Sequence, residues 1–277
     1  MGKRNDSKGD TKINSNKKHR TMVYMKSKDR TGLKTVFEVN PGLPGIILFC
    51  DRNREKSCIS EALTLFNEFA KEVYPELDIS DTPEEEEKDI EAEITKEIEG
   101  LSSKKKNKFY FGSLKTQVDC MAFLFTKQPV EPVPFIQKLF EKVAETGITK
   151  TKHISRILPI MNTCYANIPD IESLAKKLFL PFFHTPDETT GKIDPKKFGI
   201  VFKKRNCGEI EKDKVIQSLA AIVGPEHKVD LDNPDLTIVV EIFKSICGIS
   251  VLTDFNKYKK YNIQLVADQA RLKEEEK

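Results

Sequence analysis

An α+β fold is predicted for this 277-residue chain by three features. Short apolar runs at 46–50, 117–126, 198–202, 236–243 and 246–252 have the length of strands. Between them lie segments whose apolar residues recur every three or four positions, as on one face of a helix. Pro and Gly stand at most of the joints. Apolar residues make up 38% of the chain, and a chain of this size buries roughly three quarters of its unfolded surface, so two modest cores are within reach.

The first 34 residues hold eleven Lys and Arg against three Asp, with almost no bulky apolar residue before Met22. Such a segment cannot bury enough surface to fold, so a disordered basic arm is expected, suited to phosphates or to a nuclear address. Order is expected to begin at Pro41-Gly-Leu-Pro-Gly45, which releases the chain into a buried strand, Ile46–Cys50. A helix follows, with Cys58, Ile59, Ala62, Leu63, Phe66, Phe69, Ala70 and Val73 on one face and Pro75 as its stop.

Residues 76–99 reverse the charge, with twelve acids against Lys88 and Lys96. Thr82-Pro-Glu-Glu85 resembles a capping box with Pro at the first helical position, and Ile90, Ile94, Ile98 and Leu101 form a thin stripe. We read 76–108 as a protruding, solvated insertion. The domain resumes as a strand over 117–126 and a helix from Pro134, with Phe135, Ile136, Leu139 and Val143 inward. Strand, helix, insertion, strand, helix predicts a small sandwich of ferredoxin-like kind.

In the second half, His153–Leu158 runs to a proline stop at Pro159. Pro169-Asp170 opens a helix with Ile171, Leu174, Ala175 and Leu178 inward. Phe198–Phe202 is a strand that continues into Lys203-Lys-Arg-Asn206. The next helix carries Val215, Ile216, Leu219, Ala220 and Val223 and ends at Gly224-Pro225. A short strand at His227–Leu231 and a turn at Asn233-Pro-Asp235 lead into Leu236–Phe243. That strand is almost wholly apolar, so it is expected to be central, with Ile246–Leu252 as its neighbour.

Several classes of chemistry are not expected. No run of about 18 apolar residues offers a membrane span, and no apolar stretch follows the charges of Met1–Lys8 as in a secretory leader. The six cysteines lie 8 to 62 residues apart without a C-x-x-C, and the four histidines lack metal-ligand spacing. Neither a disulfide framework nor a metal site is predicted, and an intracellular location follows. There is no G-x-G-x-x-G, Walker loop or G-x-S-x-G elbow. Cys207 beside Arg205 reads as a packing residue rather than an activated thiol. No catalytic residue is assigned.

The informative feature is Lys203-Lys204-Arg205-Asn206 at a strand exit. Three cations there suit successive phosphates, Arg being able to clamp one with two hydrogen bonds, and the Asn206 amide suits a ribose or base edge. Residues 127–228 carry 17 cations and 12 acids. Lys152, Arg156 and Lys228 complete the candidate RNA-binding set.

Ser155-Arg-Ile-Leu-Pro159, Phe202-Lys-Lys-Arg-Asn206, His227-Lys-Val-Asp-Leu-Asp-Asn-Pro-Asp235 and Val239-Val-Glu-Ile242 together resemble a THUMP domain, an RNA-binding module of tRNA-modifying proteins. With Gly45–Glu55 and Tyr258-Lys-Lys-Tyr-Asn262, the wider resemblance is to the eukaryotic adaptor family that assists N4-acetylation of cytidine in tRNA. The resemblance covers about residues 40–263 and, beside the arm read from its charge (1–34), gives a ferredoxin-like domain (35–136), a THUMP domain (137–255) and a C-terminal tail (256–277) as the expected organisation. It also implies grip on tRNA near its acceptor end. A separate RNA cytidine acetyltransferase would supply the acetyl-CoA and ATP chemistry, with no cofactor on this chain and a nuclear or nucleolar location. The 20 or so residues after Asp254 are too few for the enzyme domains that most THUMP proteins carry. Two other readings stay open: a self-sufficient tRNA-modifying enzyme, and a protein-interaction module with incidental RNA binding.

Overall fold

The first sheet has the order β2-β3-β1-β4, with β1 (Gly45–Cys50), β2 (Phe111–Leu114), β3 (Met121–Thr126) and β4 (Ile154–Ile160), and every neighbouring pair is antiparallel. Helix α1 (Glu55–Val73) connects β1 to β2, and α2 (Pro132–Thr146) connects β3 to β4. This β-α-β-β-α-β path and strand order are ferredoxin-like. Pro132 starts α2 and Gly147, at φ 65°, closes it in the left-handed conformation. Phe66 of α1 lies 5.5 Å from Phe111 of β2 and 5.7 Å from Phe135 of α2, so both helices meet the sheet around one aromatic cluster.

The second sheet, of order β5-β9-β8-β6-β7, comprises β5 (Asn162–Tyr165), β6 (Lys197–Arg205), β7 (Lys228–Val229), β8 (Leu236–Phe243) and β9 (Ile246–Leu252). Strand β6 runs parallel to β7 and β8, while β9 is antiparallel to β8 and β5. Helices α3 (Ile168–Phe183) and α4 (Lys212–Val223) share a core with Ile238, Val240 and Ile242 of β8. The side chain of Asn167 caps α3 by accepting from the Asp170 amide at 2.9 Å. All eight residues of β8 are buried, as expected for a central strand.

The alternate residues of β8 face the other way. Val239 and Phe243 join the core of the ferredoxin-like half, and the Phe243 ring lies 6.3 Å from Phe123. At Gly248 a Cβ would sit 3.0 Å from the Ile160 side chain, so glycine lets β9 approach the end of β4 closely. These contacts fall within one compact unit, Phe37–Lys277. The structure, a computed structural model, describes residues 39, 41–76, 110–186, 191–208 and 210–275. The expected arm, and the expected insertion beyond Glu76, lie outside the described residues.

Four expectations are corrected. Strand β2 was not anticipated, and the strand expected over 117–126 starts only at Met121. Gln117 and Cys120, at φ 53° and 61°, turn the chain before it. Pro159 does not stop β4, because β4 is an edge strand where a missing N–H is tolerated, and its carbonyl accepts from Ser250 Oγ at 2.7 Å. The boundary expected at residue 136 falls inside α2, and β4 pairs with β1, so the first sheet closes only at Ile160. Of the expected tail, residues 256–275 belong to the fold. A turn and helix α5 (Ile263–Glu275) place Tyr258, Tyr261, Ile263, Val266 and Ala267 in the first core. Tyr261 stands edge-on to Phe140 of α2 at 5.1 Å.

Candidate nucleic-acid interface

Strand β6 carries its cations on alternating faces. Lys203 is in register with Glu241 and Arg205 with Phe243, so both lie on the β8 face that meets the first sheet. Lys204 is in register with Ile242 on the opposite face, and its Nζ donates to the Ile210 carbonyl at 3.1 Å. The sequence cluster is therefore split. Asn206 follows β6 exposed and left-handed, at φ 51°.

Arg205 is the anchor of the seam. Its Nη1 donates to Glu241 Oε2 at 2.5 Å, and its guanidinium lies 4.7 Å from the centre of the Phe49 ring. Phe49, on β1, is in register with Arg156 on β4, so those two side chains share a face of the first sheet. Arg156, Lys203 and Arg205 all act electrostatically on the buried Glu241 carboxylate. Across the seam, Arg205 of the second sheet rests on Phe49, the register partner of Arg156 in the first sheet, while Lys203 is in register with the acid itself. Arg156 and Lys203 are exposed, and among the described residues neither side chain has a hydrogen bond or ion pair of its own.

The remaining candidates lie elsewhere. Lys228 is in register with Lys197 at the opposite end of β6. Eight strand residues separate that point from Arg205, about 26 Å. The Lys152 amide donates to Glu61 on α1, away from β6. Cys207 packs partly buried against the second core, as expected of a packing residue.

Sequence reasoning missed Glu241, Phe49, Lys244 and the loop of Arg52 and Arg54. Lys244 turns the chain between β8 and β9, where its amide donates to the Arg205 carbonyl at 3.0 Å and its Nζ to Gln117 Oε1. Arg52 and Arg54 are exposed directly after β1. The signal for Glu241 was present. A single acid in an apolar, central strand needs a partner, and a nearby cation on the adjacent strand supplies it.

Burial pushes the Glu241 carboxyl above the ordinary range, even though Arg205, then Lys203 and Arg156, pull it down. A carboxyl raised on folding binds its proton more tightly in the folded state. Stability from this site is therefore greatest at acid pH and falls as pH rises through the folded value. Glu241→Gln should leave thermal stability at pH 7 equal or higher and flatten this decline. Arg205 tolerates the loss of its partner because it is one-third exposed (33%) and rests on Phe49. Thermal melts from pH 5 to 8 check this, and a large loss at pH 7 would contradict it.

A THUMP domain model matches residues 165–252. Mouse THUMP domain-containing protein 1 is 36% identical over 244 residues, covering 84% of this chain and 67% of the mouse protein. The Saccharomyces cerevisiae protein named tRNA acetyltransferase TAN1 is 29% identical, covering 86% of this chain and 90% of the yeast protein. A solution structure of the THUMP domain of THUMP domain-containing protein 1 is 37% identical, covering 30% of this chain and 81% of that one, at a TM-score of 0.25. The chain spans about two thirds of the mammalian relatives it matches.

Proposed function

Because this chain belongs to the family of THUMP domain-containing protein 1, we propose that it binds tRNA across the seam between its two halves and presents it to a separate RNA cytidine acetyltransferase. The observation that carries this reading is the seam itself: Arg205 pairs with Glu241 and rests on Phe49, the register partner of Arg156, and Lys203 is in register with Glu241. A protein whose cations sat on one half alone would hold RNA through a single module. Here a bound backbone touching Arg156 and Lys203 spans both, so its orientation is defined by a rigid two-sheet body. Phosphate contacts position an RNA without reading its sequence, which suits selection by shape.

The proposed contribution to chemistry is positioning. A tRNA held in one orientation against an enzyme replaces an improbable encounter with a prearranged one. Acetyl-CoA and ATP would belong to the partner. The name of the yeast relative supports acetylation as the process, and it also favours a second reading in which this chain transfers the acetyl group itself.

Reconstitution separates the two. With tRNA, acetyl-CoA, ATP and the acetyltransferase, N4-acetylcytidine should appear only as this chain is titrated in. Product formed by this chain without the acetyltransferase would establish the second reading. Equal product from the acetyltransferase alone would refute the first.

A further inference from the structure

After β9 the backbone makes an unusual turn. Lys259, Lys260 and Tyr261 are consecutive and all left-handed, at φ 51°, 59° and 58°. None is glycine, and each such residue costs on the order of 1 kcal/mol. The turn persists because its flanks are over-determined. Tyr258 and Tyr261 are buried against Phe140 at 5.3 and 5.1 Å, the Lys260 amide donates to the Phe255 carbonyl at 2.8 Å, and the Asn262 amide to the Tyr258 carbonyl at 3.2 Å.

The turn has a definite address. Asn262 bridges to Arg156 on the free edge of β4, and the Ile157 amide donates to the Tyr261 carbonyl at 3.0 Å. Lys259 and Lys260 are exposed, and among the described residues neither has an ion pair. Their neighbour Lys257 is different, being paired with Asp254 at 3.4 Å and lying 4.9 Å from the Tyr258 ring centre. Lys260 lies only two residues, at most about 7 Å of chain, from the residue paired with Arg156. Two uncompensated cations are thus held beside a cation of the seam by a strained turn.

We propose that the left-handed turn Lys259–Tyr261 is a second phosphate-contact element, extending the RNA interface from Arg156 around the edge of the ferredoxin-like half. This rests on the tRNA-binding reading above. The turn joins the end of β9 to the edge of β4 with both lysines exposed and both tyrosines buried.

Glycine separates charge from structure, since it adopts the left-handed conformation without the Cβ clash. In the full chain, Lys259→Gly/Lys260→Gly should keep the melting temperature or raise it by about 2–4 °C. Binding of an unmodified tRNA transcript should weaken on the order of tenfold at 50 mM salt. The slope of log affinity against log salt should become shallower by about 1.5, as expected for two lost phosphate contacts. Lys257→Gln serves as the control and should bind as the parent does. If the glycine variant keeps the parent's affinity and slope while Arg156→Glu weakens binding, the turn is structural and the inference fails with the tRNA-binding reading intact. If the parent itself shows no salt-dependent tRNA binding, both fail.

Discussion

A chain ending at Leu252 should fail to fold cooperatively. The residues removed include Phe255, Tyr258, Tyr261, Ile263, Val266, Ala267 and Ala270, all buried, and the first six of these belong to the ferredoxin-like core. Burial of a large apolar side chain stabilises by about 1.5–3 kcal/mol, so the loss is on the order of 10 kcal/mol. That equals the whole stability of an ordinary domain. The exposed aromatic face of α2 around Phe140 would also favour aggregation. Circular dichroism melts and size-exclusion profiles read the outcome. A sharp, parent-like transition in the truncated chain would show that the C-terminal helix is peripheral after all. The single change Tyr261→Ala should reproduce part of the effect, about 3–5 kcal/mol.

The second large effect concerns RNA. Arg156→Glu combined with Lys203→Glu should reduce tRNA affinity by about 100-fold or more at low salt, with much of the difference vanishing at high salt. Both side chains are exposed, so the fold should survive, and the melting temperature should move by only a few degrees. Arg205→Glu should behave differently. Arg205 neutralises the buried Glu241, and a carboxylate in its place would face another carboxylate in the seam. A loss of about 3–5 kcal/mol is expected, so any loss of binding in that variant would report misfolding rather than contact. Anisotropy titrations at two salt concentrations, paired with melts of each variant, distinguish the cases. Parent-like affinity in a folded Arg156→Glu/Lys203→Glu chain would place the RNA elsewhere.

Much of the architecture was legible in the residues taken in order. The stripe on α1, the continuous apolar run of β8 and the Pro and Gly stops all report local periodicity, which a chain carries wherever it folds. Where the stops misled, the reason was position within a sheet. Pro159 ends a strand only when its N–H is needed, and on the edge strand β4 it is not. Strand β2, four residues with only Phe111 and Leu114 buried, has too short a pattern to stand out.

The site divides in the same way. The sequence by itself determined that cations would gather at the end of β6, because they are contiguous in the chain, and its separated motifs resembled the THUMP domain that residues 165–252 match. Only the tertiary structure decided which of those cations act together. Pleating sends Lys204 to the far face, while Arg205 crosses the seam to rest on Phe49, the register partner of Arg156. It also decided that the last residues belong to the first core, since Tyr258 and Tyr261 meet Phe140 more than a hundred positions away in the chain. Contacts of that separation are set by how two sheets and a helix pack, and no local pattern of side chains encodes them.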